Sequence, residues 1–327
     1  MNTLTTHRPS AGIFFIIAGM LAISINDMLI KAMSGGYPLH QIVFFRSAIG
    51  MAFGLMLVQM EGGLSILKTE RPVLHILRGL LVVISNMSFF VALAVIPLAD
   101  ATALFFAAPL FITLLSIPIL GEKVGILRMG AVLVGFVGVV IMQRPWESSD
   151  SLEVSRIVLL LPVLAAITYA LLQVMTRKLG ATTKASAMAL YIQAMFVVVS
   201  AGFWIVAGDG RFADGSDNAS IVFLLRAWTW PDSGDWWPLI GLGLNSAAIG
   251  YCLSQAYRLS DAATVAPFEY VGLPLAVFWG WLIWSEIPDL PIWTGMALII
   301  GAGLFVFLRE KQKSRKIARA AQIKARY

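Results

Sequence analysis

Residues 98–120 read LADATALFFAAPLFITLLSIPIL, a run of 23 with one ionisable side chain, Asp100, near its start. At 1.5 Å per residue the run reaches about 34 Å as a helix, enough for a hydrocarbon core of about 30 Å. It does not alternate with period two, so it does not fit a strand of a closed barrel, and lipid tolerates no unpaired backbone. It is a membrane-spanning helix. Working outward, similar runs fall near residues 11–31, 38–59, 73–94, 126–142, 157–177, 185–206, 238–257, 262–284 and 291–308. Short turns join them, such as Gly35 to Pro38, Ile96-Pro97 and Gly121 to Lys123, together with one long polar loop, 208–237. The expected fold is an all-α membrane protein of ten transmembrane helices.

Whole-chain composition agrees. Of 327 residues, 59% are hydrophobic and 13% charged, with mean hydropathy +0.83, whereas soluble domains carry roughly 25% charged residues. One cysteine, Cys252, excludes an internal disulfide, and one Cys with three His shows no zinc or iron–sulfur spacing, so neither a metal nor a cofactor is expected. The net charge of +6 does not point to nucleic acid, because eight of the 24 Lys/Arg lie within 309–327. Such a tail reads as a cytoplasmic anchor against anionic lipid headgroups. The run from Ala11 reads as the first retained span rather than a cleaved leader. With both termini in the cytoplasm, 17 Lys/Arg fall on inner segments and five on outer ones. By the positive-inside rule this predicts a multi-pass inner-membrane protein with cytoplasmic ends. No oligomeric state is assigned.

The chain also repeats itself. At an offset of 162, Gly79, Phe89, Ala94, Ala101 and Thr102 meet Gly241, Tyr251, Ala256, Ala263 and Thr264. After a two-residue adjustment Gly121-Glu122 meets Ser285-Glu286, and each half closes on a Gly-rich helix. This divides the chain into repeats at 11–142 and 157–308, followed by the basic tail 309–327. Five spans per half turn the second copy upside down, giving two inverted five-helix repeats. Alternating-access carriers are commonly built in that way, with the solute held near the midplane.

With these features in place, the motifs resemble the ten-helix EamA branch of the drug/metabolite transporter superfamily. The resemblance rests on Ser24 to Lys31, Phe44-Phe45-Arg46, His75 to Gly79, Ile96 to Ala103, Gly121-Glu122 and Asp261 to Tyr270. The Asn26-Asp27 pair, the His75 to Gly79 run and the Ala266 to Tyr270 run look most like S-adenosylmethionine uptake carriers, and riboflavin carriers share the first of these. The resemblance implies a secondary transporter with a small-molecule substrate. Riboflavin uptake and export of amino acids or drugs by the same fold are the alternatives. An intramembrane enzyme is the alternative of another class, but no nucleophile or metal cluster gathers at one face, so no enzyme is expected. No GxxxxGK[ST] loop is present to harness ATP.

Charged groups at bilayer depth cost at least about 2.5–3.5 kcal/mol and normally face the bundle interior. Asp27 and Arg46 sit at similar depth in the outer halves of the first two spans, either gripping the solute's ionic groups or knitting two helices. Glu269, near the midplane of the ninth span, is expected to couple protons or to face a cationic solute. Tyr270 adds a phenol beside it. Asn26, Gln173, Gln193, Asn245 and Gln255 are polar at spanning depth and are candidates for ligand hydrogen bonds or helix–helix contacts. Of Phe105 and Phe106, one is expected to line a cavity, since neighbours cannot share a helix face; Phe106 is the candidate. With Asp27 and Glu269 set against Arg46, the cavity is expected to be net acidic. Arg78 and His75 are expected to reach toward headgroups, Asp100 to cap the fourth span, and Trp279, Trp281 and Trp284 to form an interfacial belt.

Overall fold

The computed structural model describes residues 9–121, 124–146, 155–179, 183–260, 265 and 268–324. Its helices are α1 (Pro9–Met33), α2 (Leu39–Glu61), α3 (Pro72–Leu93), α4 (Leu98–Phe105), α5 (Ala108–Leu120), α6 (Ile126–Gln143), α7 (Arg156–Leu179), α8 (Ala185–Ala207), α9 (Ala219–Leu225), α10 (Trp236–Leu259), α11 (Gly272–Trp284) and α12 (Leu290–Lys324). Among the described residues there is no strand. Helices α4 and α5 are two pieces of one passage, 98–120, and α9 lies in the long loop. Among the described residues the architecture is therefore ten helical passages, as expected for a lipid solvent.

Seven of these passages are long and apolar enough to cross a membrane by themselves, and α11 and Leu290–Phe305 are shorter apolar helices. Helix α10 has the length, 24 residues, but carries more polar groups. It packs against α1, α2 and α8, so those groups meet protein rather than lipid. On the outside of the bundle the pattern is reversed: Phe14, Met56, Ile126, Val198 and Ile205 are each more than 60% exposed. A surface of large apolar side chains is stable only in hydrocarbon. Helix α12 continues without a break to Lys324, about 52 Å of helix. It outruns the core by several turns, and much of the basic tail is its helical extension.

Packing follows an internal two-fold. If α1 is exchanged with α7, α2 with α8, α3 with α10, α4–α5 with α11 and α6 with α12, each principal contact lands on another. Helix α1 packs on α10 as α7 packs on α3, and α2 on α10 as α8 on α3. Helix α5 meets α7 as α11 meets α1, while the α2–α8, α6–α12 and α4–α11 pairs map onto themselves. The α6–α12 crossing is close because Gly138 and Gly295 face each other, and a Cβ on either would come within 2.8 Å of the other's carbonyl oxygen.

The passages broken at their middles carry the same relation. Helix α4 ends at Phe105, and the chain turns at Phe106 and Ala107 before α5. At an offset of 164, Phe268 and Glu269 are helical, Tyr270 and Val271 turn, and α11 begins at Gly272. Both broken passages then end on a left-handed residue, Gly121 (φ 69°) and Ser285 (φ 57°). Glycine adopts this conformation freely, whereas serine meets a steric cost there.

Candidate solute cavity

Between the broken passages lies a cavity of about 180 Å³, walled by α1–α5, α7, α8, α10 and α11. One end points to the long-loop face, where the turns 34–37 and 94–97 and the loop 208–235 emerge. The other points to the terminal face, which carries the segment 62–71 and the ends of α5 and α6 at 121 and 124–125.

Toward the long-loop face, Asp27 is six residues from the end of α1 and Arg46 seven from the start of α2, so both lie about 9–11 Å below the helix ends. They are joined through Asn26 rather than directly. Arg46 Nη1 donates to Asn26 Oδ1 at 3.2 Å, and Asn26 Nδ2 donates to Asp27 Oδ1 at 3.1 Å. Arg46 also reaches Asn86 Oδ1 at 3.4 Å and lies 5.0 Å from the centroid of the Phe196 ring. Its Nε, buried, has no partner.

Toward the terminal face, Arg78 is six residues into α3 and is turned inward, 3% exposed. Its Nε donates to Thr176 Oγ1 at 2.8 Å and its Nη1 to the Met188 carbonyl at 3.0 Å. Thus it lines the cavity instead of reaching for headgroups. The reason is visible on α3: Arg78, Val82, Ser85 and Phe89 follow i, i+4, i+7, i+11 and all face the cavity. His75, one turn earlier, is also buried, its ring 4.7 Å from that of Tyr191. Arg78 beside Arg46 gives the wall two guanidinium groups to its two carboxyl groups, so the cavity is not net acidic.

Glu269 stands at the break before α11, 3% exposed. The Tyr257 hydroxyl donates to it, and Tyr169 presents a second hydroxyl. Both phenols come from the second half of the chain. Phe105 and Phe106 both line the cavity, contrary to the expectation of one. The helix stops between them, so the 100° step that would separate their faces no longer applies.

Of the residues expected at the site, Asn26, Asp27, Arg46, Phe106, Gln173, Gln193 and Glu269 are brought together in the wall. The other three are not. Tyr270 turns away to pack on Phe106 and on Gly303, where a Cβ would come within 2.3 Å of its ring. Asn245 donates to the Ala22 carbonyl at 2.9 Å and ties α10 to α1. Gln255 donates to Tyr251 Oη at 2.9 Å and faces Glu61 at 3.5 Å near the terminal face.

Contacts between distant parts of the chain bridge the bundle at both faces. At the long-loop face, Lys31 Nζ lies 2.7 and 2.9 Å from the two Glu286 oxygens, 3.3 Å from the Ile96 carbonyl and 4.9 Å from the Trp284 ring centroid. Glu286 Oε2 also accepts the Leu98 amide at 3.2 Å. The cap of α4 therefore comes from the second half and not from Asp100, whose Oδ1 is buried without a partner. Of the three tryptophans near the end of α11, only Trp281 is exposed as a belt requires, at 56%. Trp284 sits under Lys31, and Trp279 Nε1 reaches Ser24 Oγ at 3.4 Å. The long loop is folded rather than merely polar. Thr229 exchanges hydrogen bonds with Gln41, and Arg226 donates to the carbonyls of Ser34 and Gly35. At the terminal face, Glu61 accepts from Ser186 Oγ at 2.7 Å, and Lys184 donates to the Glu61 carbonyl.

The profile of the EamA-like transporter family matches residues 10–144, which are α1 to α6. A riboflavin transporter of Brucella anthropi is 31% identical over 280 residues, 86% of this chain and 92% of its own. This chain belongs to the EamA-like transporter family. An S-adenosylmethionine uptake transporter of Rickettsia prowazekii is 29% identical, with 92% of this chain and 94% of the relative covered. The pseudopaline exporter CntI of Pseudomonas aeruginosa is 29% identical over 89% of this chain and 94% of its own. A solved crystal structure superposes with a TM-score of 0.63 at 18% identity, covering 93% of this chain and 98% of that one, and shares the fold. The protein is a membrane-embedded, multi-pass EamA transporter of small molecules.

The sequence reading missed Arg78, Tyr169, Tyr257 and Asn86. Arg78 was detectable as an arginine within a span, on the same face of α3 as Ser85 and Phe89. Tyr169, Gln173 and Thr176 line one face of α7 at i, i+4, i+7, a polar stripe in an otherwise apolar passage. Tyr257 carried no such signal, because its role depends on where Glu269 comes to rest.

Proposed function

We propose that this EamA transporter carries a small polar metabolite across the bacterial inner membrane by alternating access, with S-adenosylmethionine as the leading solute. The repeats 11–142 and 157–308 rock about the cavity, both termini lie in the cytoplasm, and residues 309–327 rest against anionic headgroups. The observation that carries this reading is a cavity of both charge signs, with contacts between distant parts of the chain bridging the bundle at each face. Asp27 and Glu269 suit a sulfonium or ammonium group, and an arginine in the wall suits a carboxylate. Asp27, Arg46, Asn26, Phe106, Gln173, Gln193 and Glu269 form the solute site, and Tyr270, Asn245 and Gln255 act as scaffold. Glu269, ringed by phenols, carries the proton that couples transport to a pH gradient. The chain performs no chemistry on its cargo.

A second reading, riboflavin, draws on a different feature. Phe89, Phe90, Phe105, Phe106 and Tyr169 all line the cavity, and aromatic rings of this kind stack on a planar heterocycle. The test is uptake of radiolabelled S-adenosylmethionine into proteoliposomes, with unlabelled riboflavin and amino acids as competitors. Saturable uptake resistant to riboflavin supports the first reading. Uptake of riboflavin, unaffected by S-adenosylmethionine, replaces it with the second.

A further inference from the structure

The two cavity arginines differ in one respect. Arg46 is linked to Asp27 through Asn26 and lies on the Phe196 ring. Arg78 is 3% exposed, yet its recorded partners are a neutral hydroxyl and a backbone carbonyl. Among the described residues no carboxylate forms an ion pair with it. Its two hydrogen bonds are made by Nε and Nη1, which point to different edges of the guanidinium plane. Nη2 is left for the cavity, whose wall here adds Gln173, Thr176 and Ser254.

A buried charge without a counter-charge is strongly unfavourable unless something supplies one. Here the bonds to Thr176 and Met188 orient the group without neutralising it. The two bonds fix the plane of the guanidinium and leave its end, the second Nη1 hydrogen beside Nη2, as the pair of N–H donors through which Arg recognises a planar oxyanion.

We propose that Arg78 is the subsite for an oxyanion on the transported solute, a carboxylate or a phosphate, held in the half of the cavity nearer the terminal face. The solute's cationic or ring portion lies toward Asp27 and the phenylalanines, so the molecule spans the cavity between opposite charges. This rests on the carrier reading and narrows it: the cargo bears an anionic group, and a wholly uncharged solute leaves Arg78 uncompensated.

The test is ligand-dependent thermal stabilisation of the purified full chain with two matched pairs of probes. S-adenosylmethionine and its decarboxylated analogue differ in a carboxylate; flavin mononucleotide and riboflavin differ in a phosphate. The wild type is expected to bind the oxyanion-bearing member of at least one pair at least tenfold more tightly. Arg78→Gln is expected to erase that preference, and Arg78→Lys to keep part of it. The first pair responding assigns a carboxylate, the second a phosphate. Equal binding within both pairs, or a preference that persists in Arg78→Gln, overturns the proposal. If none of the four binds, the named cargoes fail, and the subsite is then judged on the ligand-free protein. Arg78→Gln melting as high as the wild type or higher marks an uncompensated charge and supports the subsite. A lower melting temperature makes the guanidinium a structural element and overturns it.

Discussion

Replacing Glu286 by Gln is expected to open the long-loop end of the cavity. In the closed form the Glu286 carboxylate holds Lys31 at 2.7 and 2.9 Å and caps the Leu98 amide at 3.2 Å. A hydrogen bond to a charged group contributes about 1.5–3 kcal/mol, and a helix cap about 1 kcal/mol. The side chains are 10% and 25% exposed, so solvent screening takes the ion pair toward the lower figure. Gln keeps one contact, and the net loss is about 2 kcal/mol from the closed form alone. That shifts the open-to-closed ratio roughly thirtyfold, at about 1.36 kcal/mol per factor of ten. The assay is reaction of a cysteine at Thr102 with a membrane-impermeant thiol reagent, in a Cys252→Ser background. Thr102 lines the cavity and its Oγ1 has no hydrogen-bond partner, so the cysteine removes no bond. Labelling from the long-loop face should accelerate roughly thirtyfold in Glu286→Gln, and adding Lys31→Met should change it little further. If labelling is unchanged while the melting temperature falls, the pair is scaffold and not a gate.

Other expectations follow from the same contacts. Glu269→Gln should carry solute at a rate indifferent to an imposed pH gradient, measured in proteoliposomes with acid inside or outside; a retained response excludes Glu269 as the coupling group. Tyr270→Phe should transport and melt like the wild type, since the Tyr270 hydroxyl is buried without a partner, whereas Tyr270→Ala should lower stability by about 3–5 kcal/mol in denaturant titrations. Gly138→Leu should wedge α6 from α12 and cost at least about 1–3 kcal/mol, and a normal melting temperature would contradict the close crossing. Phe105→Ala and Phe106→Ala should each weaken binding of a ring-bearing solute about two- to tenfold, in line with the roughly 0.5–1.5 kcal/mol of an aromatic pair.

Most of the architecture could be read from residue order. Lipid demands long uninterrupted apolar helices, and the ten runs, the Gly121 and Ser285 turns and the offset between halves are local or near-local patterns. The break in residues 98–120 was less visible, because Phe105 to Pro109 is apolar throughout and only Pro109 hints at a stop. Cavity-lining residues were legible where an ionisable group had no reason to be in a span, as with Asp27, Arg46 and Glu269. The assignment failed where the direction of a side chain decided the matter. Arg78 sits close enough to a helix end to snorkel, yet the face of α3 it shares with Ser85 and Phe89 takes it inward. Asn245 and Tyr270 are as polar as Asn26, but their partners, the Ala22 carbonyl and Gly303, lie more than 30 residues away in sequence. Lys31 and Glu286, 255 positions apart, meet only because the repeats are interleaved.

The measurement that bears most directly on the carrier account is counterflow. Proteoliposomes loaded with unlabelled S-adenosylmethionine are diluted into trace radiolabelled solute. A protein that exposes one closed cavity to each side in turn accumulates label transiently above the outside concentration, and the overshoot vanishes in Arg46→Ala. Label that only equilibrates, with S-adenosylmethionine and riboflavin alike and with no overshoot, contradicts alternating access through this cavity.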